Sequence, residues 1–319
     1  MSSVFITGAA GFVGTNLTEA LLTRNYTVHG IDNLSQGDAK NLAENRKNTH
    51  FSFQQADVRD ISLQNLPLDI ATIVHLAAFK IPKYGTAKNT LEVNSLGTLN
   101  MLELARKKDA LFVFSSTSDV YGKGSNSPFS ENDDLVLGSP TVQRWAYATS
   151  KIFDEHLIRT YNKEYGLKFV ILRYFNSFGP KNSTTYLGGP ISLFIANALA
   201  GKPIEIHGDG SQKRCFCYVS DTIHGTVLAI EKNNAWNETY NIGNDKTERS
   251  IKEIAELVVE ITGKKIPFQF TPHEKLFGKF EEVSRRVPNL SKARKKLGFE
   301  PKLTLEEGIR LTYEWQKNL

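Results

Sequence analysis

Short apolar segments alternate with longer amphipathic segments through the first half of the chain, and this alternation restricts the possible folds. We interpret the apolar segments as strands, at Val4–Thr7, Thr27–Ile31, His50–Phe53, Ile73–Leu76, Leu111–Phe114 and Phe169–Arg173. Apolar residues recur every three or four positions in the longest predicted helices, which are Phe12–Arg24, Thr86–Lys107 and Ala146–Tyr165. Repeated strand–helix alternation predicts an α/β fold, a doubly wound parallel sheet with helices on both faces.

The second half of the chain follows a different pattern. After Asn176, a loop rich in glycine, serine and threonine precedes helices predicted at Ile191–Ala200, Ile223–Glu231 and Ser250–Thr262 and a strand predicted at Thr239–Ile242. A length of 319 residues predicts about two domains, and no long linker separates the halves. We therefore expect interleaved domains, a larger one of residues 1–175 with about 218–243, and a smaller α/β domain of about 176–217 and 244–319.

Composition limits the partners of the chain. Lys and Arg number 39 against 34 Asp and Glu, a net charge of +5, and the basic residues are scattered along the sequence. This distribution does not predict nucleic-acid binding. The two cysteines, Cys215 and Cys217, are too few for a disulfide scaffold and have no histidine cluster beside them. We therefore expect no metal site and a reducing compartment.

The sequence also contains no targeting or membrane signal that we can identify. The amino terminus lacks the basic and apolar regions of a signal peptide, and no apolar run approaches the roughly 20 residues of a membrane helix. We expect a cytoplasmic protein with no membrane partner.

A glycine-rich segment, ITGAAGFVG, includes the end of the first predicted strand. Gly8, Gly11 and Gly14 lie where that strand turns into the first helix. Glycine permits a tight turn and the close approach of a dinucleotide pyrophosphate, which the helix N-terminus attracts. Asp32 follows the second strand, 18 residues after Gly14, where a carboxylate accepts hydrogen bonds from a ribose and repels a 2′-phosphate. The segment and Asp32 together predict that the chain binds NAD and not NADP. The alternative is that Asp32 is an acidic residue of an ordinary turn.

A tyrosine and a lysine, Tyr147 and Lys151, are four residues apart on the third long helix. They face the same side of the helix, and we expect the ammonium to lower the pKa of the phenol enough for it to act as a base. The hydroxyl-rich segment FSSTSDVYG follows a predicted strand, and ligands bind beyond the carboxyl ends of such strands. Together these groups suit oxidation of a substrate alcohol, although tyrosine–lysine pairs at this spacing also arise by chance.

Several motifs follow one another in a fixed order: TGAAGFVG, DVRD, HLAA, SSTSDVYG, YATSK, RYFNSFGP and YNIG. This series resembles the extended short-chain dehydrogenase/reductases, the family of NAD-dependent nucleotide-sugar epimerases and dehydratases, over essentially the whole chain. The resemblance implies a Rossmann domain with tightly bound NAD and a smaller domain that binds a nucleotide sugar, most favourably a UDP-sugar.

The resemblance also implies roles for individual residues. The implied NAD contacts are Gly8, Gly11, Phe12, Val13, Gly14, Asp32, Asn33, Asp57, Val58, Leu76, Ala77, Ala78, Lys80, Asn94, Ser115, Tyr147, Lys151 and Tyr174. The implied substrate contacts are Thr117, Ser118, Asn176, Arg214 and Arg286. Tyr147 is the implied base, Lys151 its partner, and Thr117 the hydroxyl that holds or relays the proton. Asp119 is a further catalytic candidate, and a carboxylate that only caps its loop is the alternative.

Members of the family oxidise a sugar carbon, usually C4, and differ in the fate of the 4-keto intermediate. Ser118 argues against dehydratases of thymidine sugars, which carry two acidic residues here, whereas Asp119 argues against the simplest epimerases. The segments around Arg144 and Arg286 resemble glucuronate decarboxylases. We expect a UDP-sugar 4-epimerase. The alternative is a UDP-glucuronate decarboxylase or a nucleotide-sugar 4,6-dehydratase, and a remote one is a non-catalytic NAD-binding scaffold.

The resemblance further implies an oligomeric state. In this family, two long helices of each subunit commonly pair into a four-helix dimer interface. The corresponding helices here are Thr86–Lys107 and Ala146–Tyr165. We therefore expect a homodimer.

Overall fold

The computed structural model describes residues 2–60, 69–80 and 87–319. Its strands are β1 (Ser3–Thr7), β2 (Thr27–Asp32), β3 (Phe51–Gln55), β4 (Ile70–His75), β5 (Leu111–Thr117), β6 (Phe169–Tyr174), β7 (Ser177–Phe178), β8 (Ile204–His207), β9 (Lys213–Cys215), β10 (Cys217–Tyr218), β11 (Glu238–Ile242), β12 (Glu248–Ser250), β13 (Phe268–Thr271) and β14 (Arg285–Arg286). Its helices are α1 (Phe12–Leu22), α2 (Ala87–Lys108), α3 (Trp145–Tyr165), α4 (Pro190–Leu199), α5 (Val219–Glu231), α6 (Ile251–Thr262), α7 (His273–Phe277), α8 (Ser291–Leu297) and α9 (Leu305–Lys317).

The predicted strands and helices are present, with ends shifted by a few residues. The predicted start of the second long helix, Thr86, lies outside the described residues. Within the described ranges, seven strands form one sheet in the order β11-β6-β5-β4-β1-β2-β3, and every pair in it is parallel. The strand order reverses between β1 and β4, which is where doubly wound sheets bind ligands. The prediction of this fold class is confirmed.

The central strands are apolar throughout because helices cover both faces of the sheet. All five residues of β1 are buried. Val4 and Ile6 belong to a core shared with α1 and α5, whereas Phe5, between them in sequence, belongs to a core shared with α2 and α3. The side chains of one strand therefore alternate between two layers.

Smaller strands and three helices form a second packed region around a separate apolar core. Strands β8 and β13 pair in parallel, and β9 lies between β12 and β14. Helices α4, α6 and α9 contribute Ile195, Val258 and Ile309 to the core. Two of these helices begin with a capping box, Ser250 with Glu253 in α6 and a threonine–glutamate pair in α9. The domain boundaries given above remain a prediction.

A buried polar network fixes α3 against two strands of the large sheet. Glu155 of α3 accepts hydrogen bonds from Ser116 of β5 at 2.6 Å and from Arg173 of β6 at 3.0 and 2.6 Å. All three residues are buried. Removing one partner of a buried ion pair costs about 3–5 kcal/mol, so the network holds α3 in one register against the end of β5.

Within the described residues, no helix is both long enough and apolar enough to cross a membrane.

Candidate active site

The glycine-rich loop between β1 and α1 allows no side chain at two of its glycines. Gly8 has a φ of +72°, and a Cβ there would lie 2.9 Å from the backbone nitrogen of Ala77. A Cβ on Gly14 would lie 2.1 Å from the carbonyl oxygen of Gly8. Gly11 precedes α1 and offers no side chain to cap it. The first N–H groups of α1 therefore face a cradle suited to a pyrophosphate.

Asp32 ends β2 beside this loop and is held by backbone donors. Its Oδ2 accepts from the N–H of Ala10 at 3.1 Å, and its Oδ1 accepts from the N–H of Leu34 at 2.8 Å. Burial raises the pKa of the Asp32 carboxyl, and these backbone hydrogen bonds oppose the rise. The carboxylate is thus fixed where a ribose diol would approach and a 2′-phosphate would be repelled.

A second polar group lies at the ends of β2 and β3. Asn33 donates to Asp57 at 2.8 Å, and Arg59 forms two 2.9 Å hydrogen bonds with the same carboxylate. These contacts with Arg59 hold the pKa of Asp57 well below its usual range. Val58 is buried against α2, where a Cβ on Gly97 would lie 2.6 Å from it. With the glycine cradle and Asp32, these residues fit an adenine dinucleotide.

The end of β4 is attached to the glycine-rich loop by Thr7. Its hydroxyl oxygen accepts from the N–H of Ala77 at 3.1 Å and lies 2.7 Å from Nδ1 of His75. Ser115 of β5 donates to the carbonyl oxygen of His75 at 3.0 Å. Leu76 and Ala78 of the same segment line the cavity described next.

Asn94, a predicted NAD contact, is engaged by the protein itself. Its Oδ1 accepts from the N–H of Phe79 at 2.8 Å, and its amide donates to Ser150 at 2.9 Å. The side chain is buried and joins α2 to α3 and to the segment after β4. The geometry describes a supporting residue, and direct contact with the cofactor stays a prediction.

A cavity of about 490 Å³ opens at the carboxyl ends of β4, β5 and β6. It brings together many of the predicted site residues: Phe12, Val13, Leu76, Ala78, Lys80, Ser115, Thr117, Ser118, Asp119, Tyr147, Tyr174, Asn176 and Arg214. Lys151 and Arg286 are buried behind this lining. Residues on the adenine side, such as Asp32 and Asp57, lie at the neighbouring strands β2 and β3.

The oxidising residues come from the end of β5 and the first turns of α3. The Thr117 hydroxyl donates to Asp119 at 3.1 Å and accepts from the N–H of Asp119 at 3.2 Å. Tyr147 lies in the first turn of α3, and Lys151 follows one turn later. Lys151 is buried, and its Nζ lies 4.3 Å from the centre of the Phe114 ring. Thr117 and Tyr147 both line the cavity.

The pKa of Tyr147 departs from the sequence-based expectation. Desolvation raises the pKa of the phenol, the carboxylates of Asp119 and Asp154 raise it further, and only the Thr117 hydroxyl opposes them. The prediction that Lys151 lowers the pKa of Tyr147 is wrong for the protein on its own, because removal of the phenol from water is the largest effect. The protein on its own therefore favours the neutral phenol.

Asp119 belongs to a group of charged residues at the substrate side of the cavity. Its carboxylate lies 2.8 Å from Arg286 and 3.8 Å from Arg144. Burial raises the pKa of Asp119, but Arg286 and Arg144 more than offset this, so the net shift is downward. Glu282 pairs with Arg214 at 2.7 Å and with Arg144 at 3.5 Å. The Asp119 carboxylate lines the cavity, whereas Arg286 and Arg144, which balance its charge, lie outside the lining. Its part in catalysis stays a prediction.

Asn176 and Arg214, the predicted phosphate contacts, are positioned by the second region. Asn176 has a φ of +42°, and its amide donates to the carbonyl oxygen of Cys215 at 2.8 Å. Such a conformation is uncommon outside glycine and is found at functional sites. Burial lowers the pKa of Arg214 to about 10, and nearby Arg286 adds to the effect. Both residues line the cavity, and their contact with the phosphates of a substrate stays a prediction.

Sequence reasoning missed the outer end of the cavity. The lining residues it missed there include Tyr186, His207, Gln212, His273, Phe280 and Glu282. The rings of Tyr186 and His207 stack at 5.0 Å, and those of His273 and Phe280 at 4.6 Å. These residues come from three distant segments, and apart from Gln212, which begins the family-like segment QKRCF, none lies in a local motif that would have identified it.

Comparison with known proteins relates this geometry to a family. The family model described as GDP-mannose 4,6 dehydratase matches residues 5–312. The chain is 36% identical to a UDP-N-acetyl-alpha-D-glucosaminuronate decarboxylase of Bacillus cytotoxicus, over 98% of this chain and 97% of that protein.

Two solved structures have closely similar folds. One is UDP-glucose 4-epimerase of Thermotoga maritima with UDP-glucose, at 30% identity. The other is UDP-glucuronic acid 4-epimerase of Bacillus cereus in complex with UDP-glucuronic acid and NAD, at 32% identity. Each alignment has a TM-score of 0.89 and covers 99% of both chains. The chain therefore belongs to the extended short-chain dehydrogenase/reductases, as an NAD-dependent enzyme among the nucleotide-sugar epimerases, decarboxylases and dehydratases.

Proposed function

We propose that the chain is a UDP-sugar 4-epimerase that oxidises C4 to a ketone and reduces the ketone on its opposite face. The observation that carries the proposal is the convergence of Thr117 and Tyr147 in one cavity, with Lys151 one turn behind the tyrosine. The glycine cradle and Asp32, which fit the cofactor, lie at the adjoining strands. The relatives that act on UDP-sugars support the choice of nucleotide.

The protein residues move one proton in this reaction. Tyr147, as phenolate, takes the proton of the C4 hydroxyl while Thr117 orients that oxygen, and Lys151 stabilises the phenolate by its charge. Bound NAD supplies the acceptor for the hydride of C4 and a positive charge that opposes the raised pKa of Tyr147. Tyr147 then returns the proton to the ketone oxygen, which restores the starting protonation state.

The charges around Asp119 argue against dehydration. Elimination of water requires an acid for the leaving hydroxyl as well as a base. Ser118 is an alcohol, and Asp119 is kept ionised by Arg286 and Arg144. Among the described residues lining this side of the cavity, no neutral carboxylic acid is thus available for that step.

Decarboxylation of a UDP-uronic acid is a second candidate, and one observation favours it. Arg286 and Arg144 converge on Asp119 next to the oxidising residues, so an acidic sugar would meet positive charge there. Oxidation at C4 makes such a sugar a β-keto acid, which loses carbon dioxide to leave an enolate. The enolate takes a proton at C5, and the ketone at C4 is then reduced. The Bacillus cytotoxicus relative is named as a decarboxylase.

Product analysis separates these reactions. The purified NAD-loaded enzyme is incubated with UDP-glucose, UDP-N-acetylglucosamine and UDP-glucuronic acid, and the products are analysed by mass and by NMR of the sugar. We expect an isomer of unchanged mass. Loss of carbon dioxide would replace the epimerase by the second candidate, and loss of water would contradict both.

Asp119→Asn tests the role of the carboxylate. The amide keeps an acceptor for Thr117 and Arg286 but loses the charge, so we expect kcat for epimerisation to fall about tenfold, equivalent to about 1.4 kcal/mol. Asp245→Asn is the control, because Asp245 pairs with Arg294 outside the cavity. A loss above about 100-fold would assign Asp119 a direct part in the chemistry. An unchanged kcat would show that its charge has no part in catalysis.

We also propose the homodimer implied by the family resemblance. Large apolar side chains are exposed on two adjacent helices, Leu91, Leu96 and Leu99 on α2 and Phe153 and Tyr165 on α3. The helices pack together, and Tyr161 of α3 donates to Glu103 of α2 at 2.6 Å. Two copies of this surface would form a four-helix bundle and cover these side chains.

Acidic substitutions on this surface should separate the subunits. Phe153→Glu combined with Leu96→Glu is expected to yield monomers in light scattering after gel filtration, because burying two carboxylates against their symmetry copies is costly. Leu311→Glu, on the exposed face of α9, is the control and should remain dimeric. A double variant with the mass of a dimer would place the interface elsewhere.

We further propose a cytoplasmic location and the two-domain division given above. Both cysteines are buried and free, which fits a reducing compartment. The separate apolar cores of the large sheet and the second region support the division.

A further inference from the structure

Asp154 of α3 is a buried carboxylate that the proposed reaction does not use. It has no exposed surface. Neither of its carboxylate oxygens has a hydrogen-bond partner within the described part of the chain. An isolated buried charge is expensive, and burial raises the pKa of Asp154 to about 7, so its ionised form needs a neighbouring positive charge.

The side chain one turn earlier on the same helix supplies that charge. Lys151 and Asp154 are three residues apart and share a face of α3. Lys151 is only 1% exposed. Each group shifts the pKa of the other toward its charged form, against the effect of burial. No direct contact is required, because charges in a protein interior interact over several ångströms.

The next carboxylate of the helix is already committed elsewhere. Glu155 forms two hydrogen bonds with Arg173 of β6 and accepts one from Ser116 of β5. Glu155 also favours the charged lysine, but less strongly than Asp154, which has no hydrogen-bond partner among the described residues.

The other elements around the pair contribute no positive side chain toward it among the described residues. From α2, the Thr98 hydroxyl faces Asp154 and lowers its pKa, although no hydrogen bond of normal geometry joins them. From β4, buried His75 feels the Lys151 charge, and burial lowers its pKa to about 3, so it is neutral. On α3 itself, Tyr147 lies one turn before Lys151. Asp119 follows the end of β5, and its charge raises the pKa of Tyr147.

We propose that Asp154 is a positioning residue that keeps the Lys151 ammonium charged behind Tyr147, so that the lysine can stabilise the phenolate during C4 oxidation. The proposal rests on the proposed function, in which Tyr147 is the base. Asp154 touches neither reacting atoms nor cofactor in this scheme and acts through Lys151.

Asp154 has two opposite effects on the site, and their relative size decides the prediction. Its charge favours the protonated lysine, but it also raises the pKa of Tyr147 directly. It is the strongest charge acting on Lys151 and the weakest of the influences on Tyr147. Without Asp154 the buried Lys151 loses its main balancing charge and favours the neutral amine, which cannot stabilise a phenolate. We expect this indirect effect to exceed the direct one, so removal of Asp154 should weaken the base.

The test compares Asp154→Asn with the wild-type enzyme, both loaded with NAD, using UDP-glucose between about pH 6 and 10. Lys151 should lose its proton at lower pH in the variant. We expect the alkaline limb of the kcat profile to move down by about one pH unit or more, with kcat about tenfold lower on that limb. KM and bound NAD should not change. A folded variant with an unchanged profile would overturn the proposal.

A matched control tests whether the shift is specific to Asp154. Asp221→Asn removes another buried helix carboxylate, which accepts backbone N–H groups from Lys302 and Leu303 far from the site; an equal shift in this control would also overturn the proposal. If Asp154→Asn does not fold, Asp154→Ser carries the same expectation.

Tyrosinate absorbance supplies a measurement that needs no substrate. The difference between each NAD-loaded enzyme and its Tyr147→Phe counterpart reports the titration of Tyr147, which should occur at higher pH in Asp154→Asn. If no sugar is converted by the wild type but this titration shifts, the proposed function fails and the role of Asp154 stands. If sugars are converted and the titration does not shift, the role of Asp154 fails alone.

Discussion

Tyr147→Phe should lower kcat by about 10²–10⁴-fold, the usual contribution of general acid–base catalysis, while bound NAD is retained. The variant keeps the ring, its place in the first turn of α3 and its packing, but removes the oxygen atom that takes the proton of the C4 hydroxyl in the proposed reaction. Thr117 cannot replace it, because its hydroxyl is engaged with Asp119 at 3.1 Å and a neutral alcohol is a weak base. Steady-state turnover of UDP-glucose and the NAD content of the purified protein are the two measurements.

Tyr161→Phe is the matched control for this variant. Tyr161 lies on the same helix, but its hydroxyl donates to Glu103 of α2 at 2.6 Å. Its loss should lower the free energy of unfolding by about 1.5–3 kcal/mol, as for a hydrogen bond to a charged group, and leave kcat within about twofold. If Tyr147→Phe retained wild-type turnover, another group would have to be the base. If the two variants lost activity equally, the defect would come from a general disturbance of α3 and not from loss of the base.

Gly14→Ala should weaken NAD binding by about 10- to 100-fold. The added Cβ would lie 2.1 Å from the carbonyl oxygen of Gly8 and 2.8 Å from Cα of Ala9. Both contacts are with backbone, which cannot rotate away as a side chain could, so the loop must shift out of the shape that receives the pyrophosphate. Overpacking of this kind costs about 1–3 kcal/mol, and each 1.4 kcal/mol is about tenfold in affinity. Calorimetric titration of cofactor-free protein with NAD measures the change.

Gly263→Ala separates loss of the cofactor from loss of stability. Gly263 follows α6 with a φ of +64°, and a Cβ there would meet no atom within 4 Å. We expect the free energy of unfolding to fall by about 1–2 kcal/mol, the cost of a left-handed conformation in alanine, with NAD affinity unchanged. Equal affinity in Gly14→Ala and the wild type would show that the loop tolerates the methyl group.

The parts of the site that could be predicted from the sequence are those fixed by local constraints. The glycines at 8 and 14 are required by contacts within or next to one strand–turn–helix unit, so their spacing indicates their role. Tyr147 and Lys151 are on one helix, and helix geometry alone puts them on one side. The order of the motifs then related these local units to a family.

Other properties depend on contacts that no local pattern records. The raised pKa of Tyr147 results from desolvation and from Asp119 and Asp154, which only the folded chain brings near. Likewise, the pairing of β8 with β13 brings His207 beside the segment that contains His273. Sequence spacing predicts which residues share a helix face, but it does not predict the balance of solvation and charge around them.

The network of Ser116, Glu155 and Arg173 holds the oxidising residues by contacts separate from those of Glu282 and Arg286. It anchors them through the sheet and α3, whereas Glu282 and Arg286 lie in the segment that packs against β9. Substitutions in that segment can therefore change the sugar that binds while α3 keeps its register against the sheet. The segment that carries Glu282 and Arg286 is therefore the place to redesign the choice of sugar, with the network left intact.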